Sequence, residues 1–196
     1  MFFDLVQVKM TIYKILQQRH GGHNLYRGGK GMGGFEGGIR VPAIISYPAA
    51  GWTGGALLEP STSMMDVYPT VLQAAGIDAG AYAIGRDNST NHIDGRDMSG
   101  QLNALANQET VRGEHEFMFH YCGDKLNAIR WSIAETGDVY KLHYFQPVWD
   151  AGTEGCASML ICACYGPYIN TYEVPLLYNL KVSENVTYIK YTLEIV

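Results

Sequence analysis

Apolar residues recur along this chain at two spacings, and the change from one to the other falls near residue 113. Between Ser61 and Ala75, Met64, Met65, Val67, Tyr68, Val71 and Leu72 fall at helical intervals, which predicts a helix. Ser63 and Asp66 have the three-residue offset of a capping box at its start, and Gly76 supplies a stop. Pro69 should kink this helix or open its main segment, because the ring has no N–H for the interior ladder. A weaker helical stretch surrounds Leu102 and Leu105. Beyond Gly113 the texture becomes strand-like. Glu116–Tyr121, Asn127–Ile133, Val139–Phe145 and Leu176–Leu180, separated by turn residues, predict a small antiparallel sheet. Upstream, the β-branched run Ile39–Pro48, closed by its proline, predicts a short buried strand. A buried strand after a glycine-rich loop, followed by a helix, points to an α/β class.

The chain has 196 residues, 47% of them hydrophobic and 17% charged, which suits one folded domain or part of one and excludes a disordered tail. Fourteen Lys and Arg stand against nineteen Asp and Glu, with the basic residues scattered, so nucleic acid is excluded as a partner. The apolar start is interrupted by Asp4, Gln7 and Lys9, well short of the roughly 20 apolar residues of a spanning helix. It has no basic opening and no small-residue cleavage site, so it does not read as a signal peptide. Cys122, Cys156, Cys162 and Cys164 are even in number and clustered, which suits two disulfides. A zinc site is the rival, although Cys162-Ala163-Cys164 lacks the two-residue gap of a zinc knuckle, and four buried thiols are the plain alternative. Asn88-Ser89-Thr90 and Asn185-Val186-Thr187 are acceptors for N-glycosylation, and with the cysteines they lean towards the secretory pathway.

Residues 21–38 are crowded with glycine, so this backbone is a loop shaped around something. Gly29-Lys30-Gly31-Met32-Gly33-Gly34 spells a dinucleotide fingerprint, but no hydrophobic strand precedes it and a strand rather than a helix follows. A Walker A loop fails as well, because Lys30 is followed by glycine. What survives is Lys30 itself, an ammonium among small residues that can come close to an anion; on chemistry alone a solvated loop lysine is the commoner fate. Glu36 and Arg40, four residues apart around Gly37-Gly38, are expected to pair and brace the loop against the strand. His115 and His120 read as structural histidines, and Asp66, Asp94 and Asp97 as caps and turns rather than metal ligands.

Several segments in this order resemble the C-terminal part of the sulfatase family, above all its steroid sulfatase and arylsulfatase branch. They are His20-Gly21-Gly22, Leu25-Tyr26-Arg27-Gly28-Gly29-Lys30, Phe35-Glu36-Gly37-Gly38-Ile39-Arg40-Val41-Pro42 and Met65-Asp66-Val67-Tyr68-Pro69-Thr70-Val71. Asp94-Gly95-Arg96-Asp97, the run from Glu114 to Cys122, Leu126–Trp131 and Pro175–Leu180 follow. The resemblance implies a sulfuric ester hydrolase in which a formylglycine attacks sulfur while calcium and basic side chains hold the sulfate oxygens. In that setting Lys30 is the sulfate-binding lysine, and the substrate is an aryl or steroid sulfate. It also implies pairs Cys122–Cys164 and Cys156–Cys162, and a loop at the substrate entrance where Met159, Leu160 and Ile161 touch an apolar substrate.

The implied fold is α/β, the C-terminal piece of an alkaline-phosphatase-like sulfatase, ending in a small antiparallel sheet subdomain with a helix. Residues 1–19 match nothing in the family, 20–112 correspond to the last portion of its large domain, and 113–196 to the small subdomain. The family's Cys-x-Pro-x-Arg nucleophile motif is absent from these 196 residues, and so are the aspartates that complete its calcium site. The expectation is therefore a fragment that binds no metal by itself and is inactive without the N-terminal half. The alternative expectation is a non-catalytic remnant, or a binding or complementing chain.

Overall fold

The computed structural model describes residues 34–53, 55–78, 92–148 and 165–181. These fall into two compact units. One is Ala43–His115; the other joins residues 34–42 to the chain from Glu116 onward.

The first unit is helical. Ser63 caps a 3-10 turn, Met64–Asp66, that runs directly into helix α2, Val67–Ala74, while the four-residue α1, Glu36–Ile39, belongs to the other unit. The capping box forms as expected: Ser63 Oγ accepts from the Met65 N–H at 3.2 Å, and Asp66 Oδ2 from the Ser63 N–H at 2.7 Å. Pro69 lies in the first turn of α2, where its missing N–H has no ladder partner to lose, and Gly76 ends the helix at a φ of +73°. Helix α3, Ser99–Ala106, begins where Asp97 Oδ1 accepts from the Ser99 N–H at 2.9 Å. Trp52, Met98 and Leu102 form the buried cluster, with Ile45, Tyr47 and Ala74 against it.

The second unit is a four-stranded antiparallel sheet in sequential order: β1 Phe117–Cys122, β2 Lys125–Ser132, β3 Val139–Pro147 and β4 Ile169–Asn179. Each of the four strands expected for this sheet is present. Between β1 and β2 the register shifts after His120, leaving Asn127 as the extra residue of a bulge. Between β3 and β4 it shifts again, opposite a stretch of β4 containing Pro175, which has no ladder donor.

The expected strand Ile39–Pro48 does not form. Ile39 closes α1, residues 40–46 are irregular, Tyr47 makes a single bridge to Trp52, and Pro48 opens a 3-10 turn. Val41 and Ile44 are exposed rather than buried. A β-branched run becomes a strand when neighbours complete its ladder, and the described residues supply none here.

Candidate functional site

Alternation along the strands puts Met118, His120, Ala128, Arg130, Lys141 and His143 on one face of the sheet, the face on which α1 packs. Phe117, Phe119, Trp131 and Tyr140 lie on the other. Phe117 and Trp131 stack at 6.0 Å with 7° between their rings, and both are largely exposed. The usual assignment is inverted: charge is inside and aromatic surface outside.

Arg130 and Lys141 are directly opposed in the β2–β3 register. Between them sits Glu36: Oε2 accepts from the Arg130 guanidinium at 2.5 Å and Oε1 from Lys141 Nζ at 2.7 Å. Lys141 is 1% exposed, and Arg130 and Glu36 are each 14% exposed. Burial pushes the Glu36 carboxyl up, but Lys141 and Arg130 together outweigh it and hold the group down at about 2. Burial pushes Lys141 down, and although Glu36 pulls it back, it rests at about 8. His120, diagonal to Arg130 on the same face, is held at about 4 by burial and by repulsion from Lys141 and Arg130. Its Nε2 is buried and has no hydrogen-bond partner among the described residues.

Two close approaches seat the glycine-rich segment on this face. Gly34 adopts a φ of +83°, and a Cβ there would collide with the Oδ1 of the wholly buried Asn127. Phe35, 4% exposed, packs its ring 5.8 Å from that of His143. The backbone closes the turn, with the Gly38 and Ile39 N–H groups donating to Phe35 O and the Arg40 N–H to Glu36 O.

Glu36 is braced by Arg130 and Lys141, which sequence reading had not joined to it. The carboxylate turns into the sheet to reach Arg130 and Lys141, whereas Arg40 meets it through the backbone and carries an exposed side chain. Arg130 stands within the quoted Leu126–Trp131 segment. Lys141 had no such signal, because a lysine within a strand is ordinarily assigned to the solvent side.

In the helical unit, Asp66 is wholly buried. Beyond its cap it accepts from His115 Nε2 at 2.8 Å and from the Arg96 N–H at 2.8 Å. A carboxylate only accepts, so Nε2 carries the proton. The structural reading of His115 and Asp66 thus has its geometry, and Gly95 lies so close to Met65 O that no Cβ fits.

Cys122, at the end of β1, is disulfide-bonded. Cys156, Cys162 and Cys164 lie outside the described residues, as do Lys30, Met159, Leu160, Ile161, Asn88, Asn185 and the segment 1–19. Among the described residues no three His, Cys, Asp or Glu side chains converge as a metal ion requires, and they offer calcium no ligand set. Nor is any described helix long and apolar enough to cross a membrane.

Residues 113–187 match the family described as the C-terminal region of aryl-sulfatase. Human Arylsulfatase D is 40% identical over 189 residues, which take in 89% of this chain and 30% of that protein. Human Steryl-sulfatase is 39% identical over 164 residues, 83% of this chain and 26% of its own length. Human Arylsulfatase H is 38% identical over 165 residues, 84% of this chain and 27% of its own. The chain thus spans at most about a third of the curated relatives it matches.

Proposed function

This chain carries a sulfatase C-terminal region, and from that premise we propose that it contributes the lysine loop and the small sheet of a sulfuric ester hydrolase. The observation that carries the reading is the 38–40% identity to two arylsulfatases and a steryl-sulfatase over most of the chain. In hydrolysis of an aryl or steroid sulfate, the sulfur–oxygen bond to the leaving alcohol breaks and a water oxygen replaces it. Negative charge grows on the leaving oxygen and stays on the sulfate oxygens. A fixed ammonium in a water-poor pocket favours that distribution over the ground state, which is the role of Lys30. The flanking glycines let the backbone approach the anion.

Calcium, when bound, would neutralise sulfate charge; no residue of this chain is named as its ligand. Cys122–Cys164 and Cys156–Cys162 tie the sheet to the loop of Met159, Leu160 and Ile161 at the substrate entrance. Asn88 and Asn185 carry glycans in the secretory pathway.

Without Cys-x-Pro-x-Arg, the 196 residues alone should not hydrolyse an aryl sulfate in the presence of calcium. Mixed with a separately expressed region bearing that motif, they should do so, and Lys30→Ala should cut kcat/KM by about 10²–10³. Full activity in the Lys30→Ala mixture sinks the assignment. A mixture that never hydrolyses favours the second reading, a non-catalytic remnant.

A further inference from the structure

Ala43-Ile44-Ile45-Ser46-Tyr47 stands between Pro42 and Pro48, neither of which can donate to a ladder, and has the length of an ordinary strand. Its last residue already pairs. The Tyr47 N–H donates to Trp52 O at 2.8 Å and the Trp52 N–H to Tyr47 O at 3.1 Å, a single antiparallel bridge. Among the described residues, the N–H groups of Ala43, Ile44, Ile45 and Ser46 donate to no backbone carbonyl. A row of open backbone groups is the template on which another strand adds.

The side chains alternate as a strand's do. Ile45 and Tyr47 pack against the cluster of Trp52, Met98 and Leu102, while Ile44 between them is 48% exposed. A sheet with one face in water ordinarily carries a polar residue at such a position. Consecutive isoleucines instead mark a strand covered on both faces, as in the mainly parallel sheets of α/β domains. A second copy of this chain fits poorly, because pairing edge to edge makes a two-stranded ribbon, marginal by itself, and leaves Ile44 uncovered. The relatives offer more: the matched region is only 26–30% of their length, so most of their sequence remains to supply strands and a covering layer.

We propose that Ala43–Tyr47 is an open docking edge, completed as a strand by a β-sheet built from sulfatase sequence beyond these 196 residues, in the same polypeptide or another. The inference rests on the sulfatase reading above and names the surface through which that reading is realised.

The probe is the part of human Arylsulfatase D outside the 30% that this chain matches, produced separately and mixed with the 196-residue chain. Hydrogen exchange reads the edge directly. The amides of Ala43, Ile44, Ile45 and Ser46 should exchange at near-unprotected rates in the free chain and slow by about a hundredfold or more in the mixture. Ile44→Pro removes a donor with no backbone partner in the free chain, so thermal unfolding should match the wild type while affinity for the probe falls about tenfold or more. Ile44→Val, which keeps the donor and the branched side chain, should bind as the wild type does. If Ile44→Pro lowers the unfolding temperature, exchange in the wild type decides alone. A mixture that binds or hydrolyses an aryl sulfate while Ala43–Ser46 still exchange fast overturns the inference and leaves the sulfatase reading standing. A normally folded Ile44→Pro that binds at full affinity overturns it too. Protection in the free chain at every concentration places the ladder partner within the 196 residues; protection that grows with concentration alongside a doubled mass makes a second copy the occupant. Either overturns the inference. A mixture that neither binds nor hydrolyses sinks the sulfatase reading, and this inference with it.

Discussion

His120 carries the clearest pH signature in the described structure. Its unfolded value is near 6.5 and its folded value about 4, lowered by burial and by the adjacent Lys141 and Arg130. Between those values the unfolded chain binds a proton that the folded chain refuses, so stability falls as pH drops from about 6.5 towards 4. Urea titrations across this window should show the decline, and His120→Gln should flatten it; an unchanged slope in the variant places the proton uptake elsewhere. Glu36 adds a separate and lower loss. Held at about 2 against 4.5 when unfolded, it stabilises fully above 4.5 and progressively less below. The sequence marked His120 as structural, but not that its Nε2 would be buried without a partner. That depends on how β1 lies against β2, which no local spacing encodes.

The capped helix α2 was the most legible element, because its signals are local: Ser63, Asp66 and Gly76 act within a few residues of themselves. Asp66 also acts at long range, receiving hydrogen bonds from Arg96 and His115. Asp66→Ala removes the acceptor of three donors, the buried His115 among them, and should cost roughly 3–5 kcal/mol in a guanidinium titration. A loss no larger than that of a surface helix cap, about 1 kcal/mol, would show that the long-range contacts carry little. The strands from Phe117 to Pro147 were also legible, since alternation survives even where the buried side is charged. Ile39–Pro48 was not. Its composition favours a strand, but a strand is completed by its neighbours, and propensity does not say whether they are there.

Across the whole molecule, what sequence reading missed is what distant segments build together. Glu36 meets Arg130 and Lys141 across 94 and 105 residues of chain, and the sheet unit takes in a stretch that precedes the described part of the helical unit. The family model begins only at residue 113, which leaves residues 34–42 outside it. An expression fragment cut there would keep all four strands yet lose Glu36, the carboxylate that Arg130 and Lys141 share. Residues 113–187 produced alone should therefore precipitate or show poorly dispersed amide spectra, and adding a peptide of residues 34–42 should restore a dispersed spectrum. A well-dispersed spectrum without the peptide would mean that the cations find relief elsewhere. For protein engineering, the separable module is a two-part object, and a cut at residue 113 divides it.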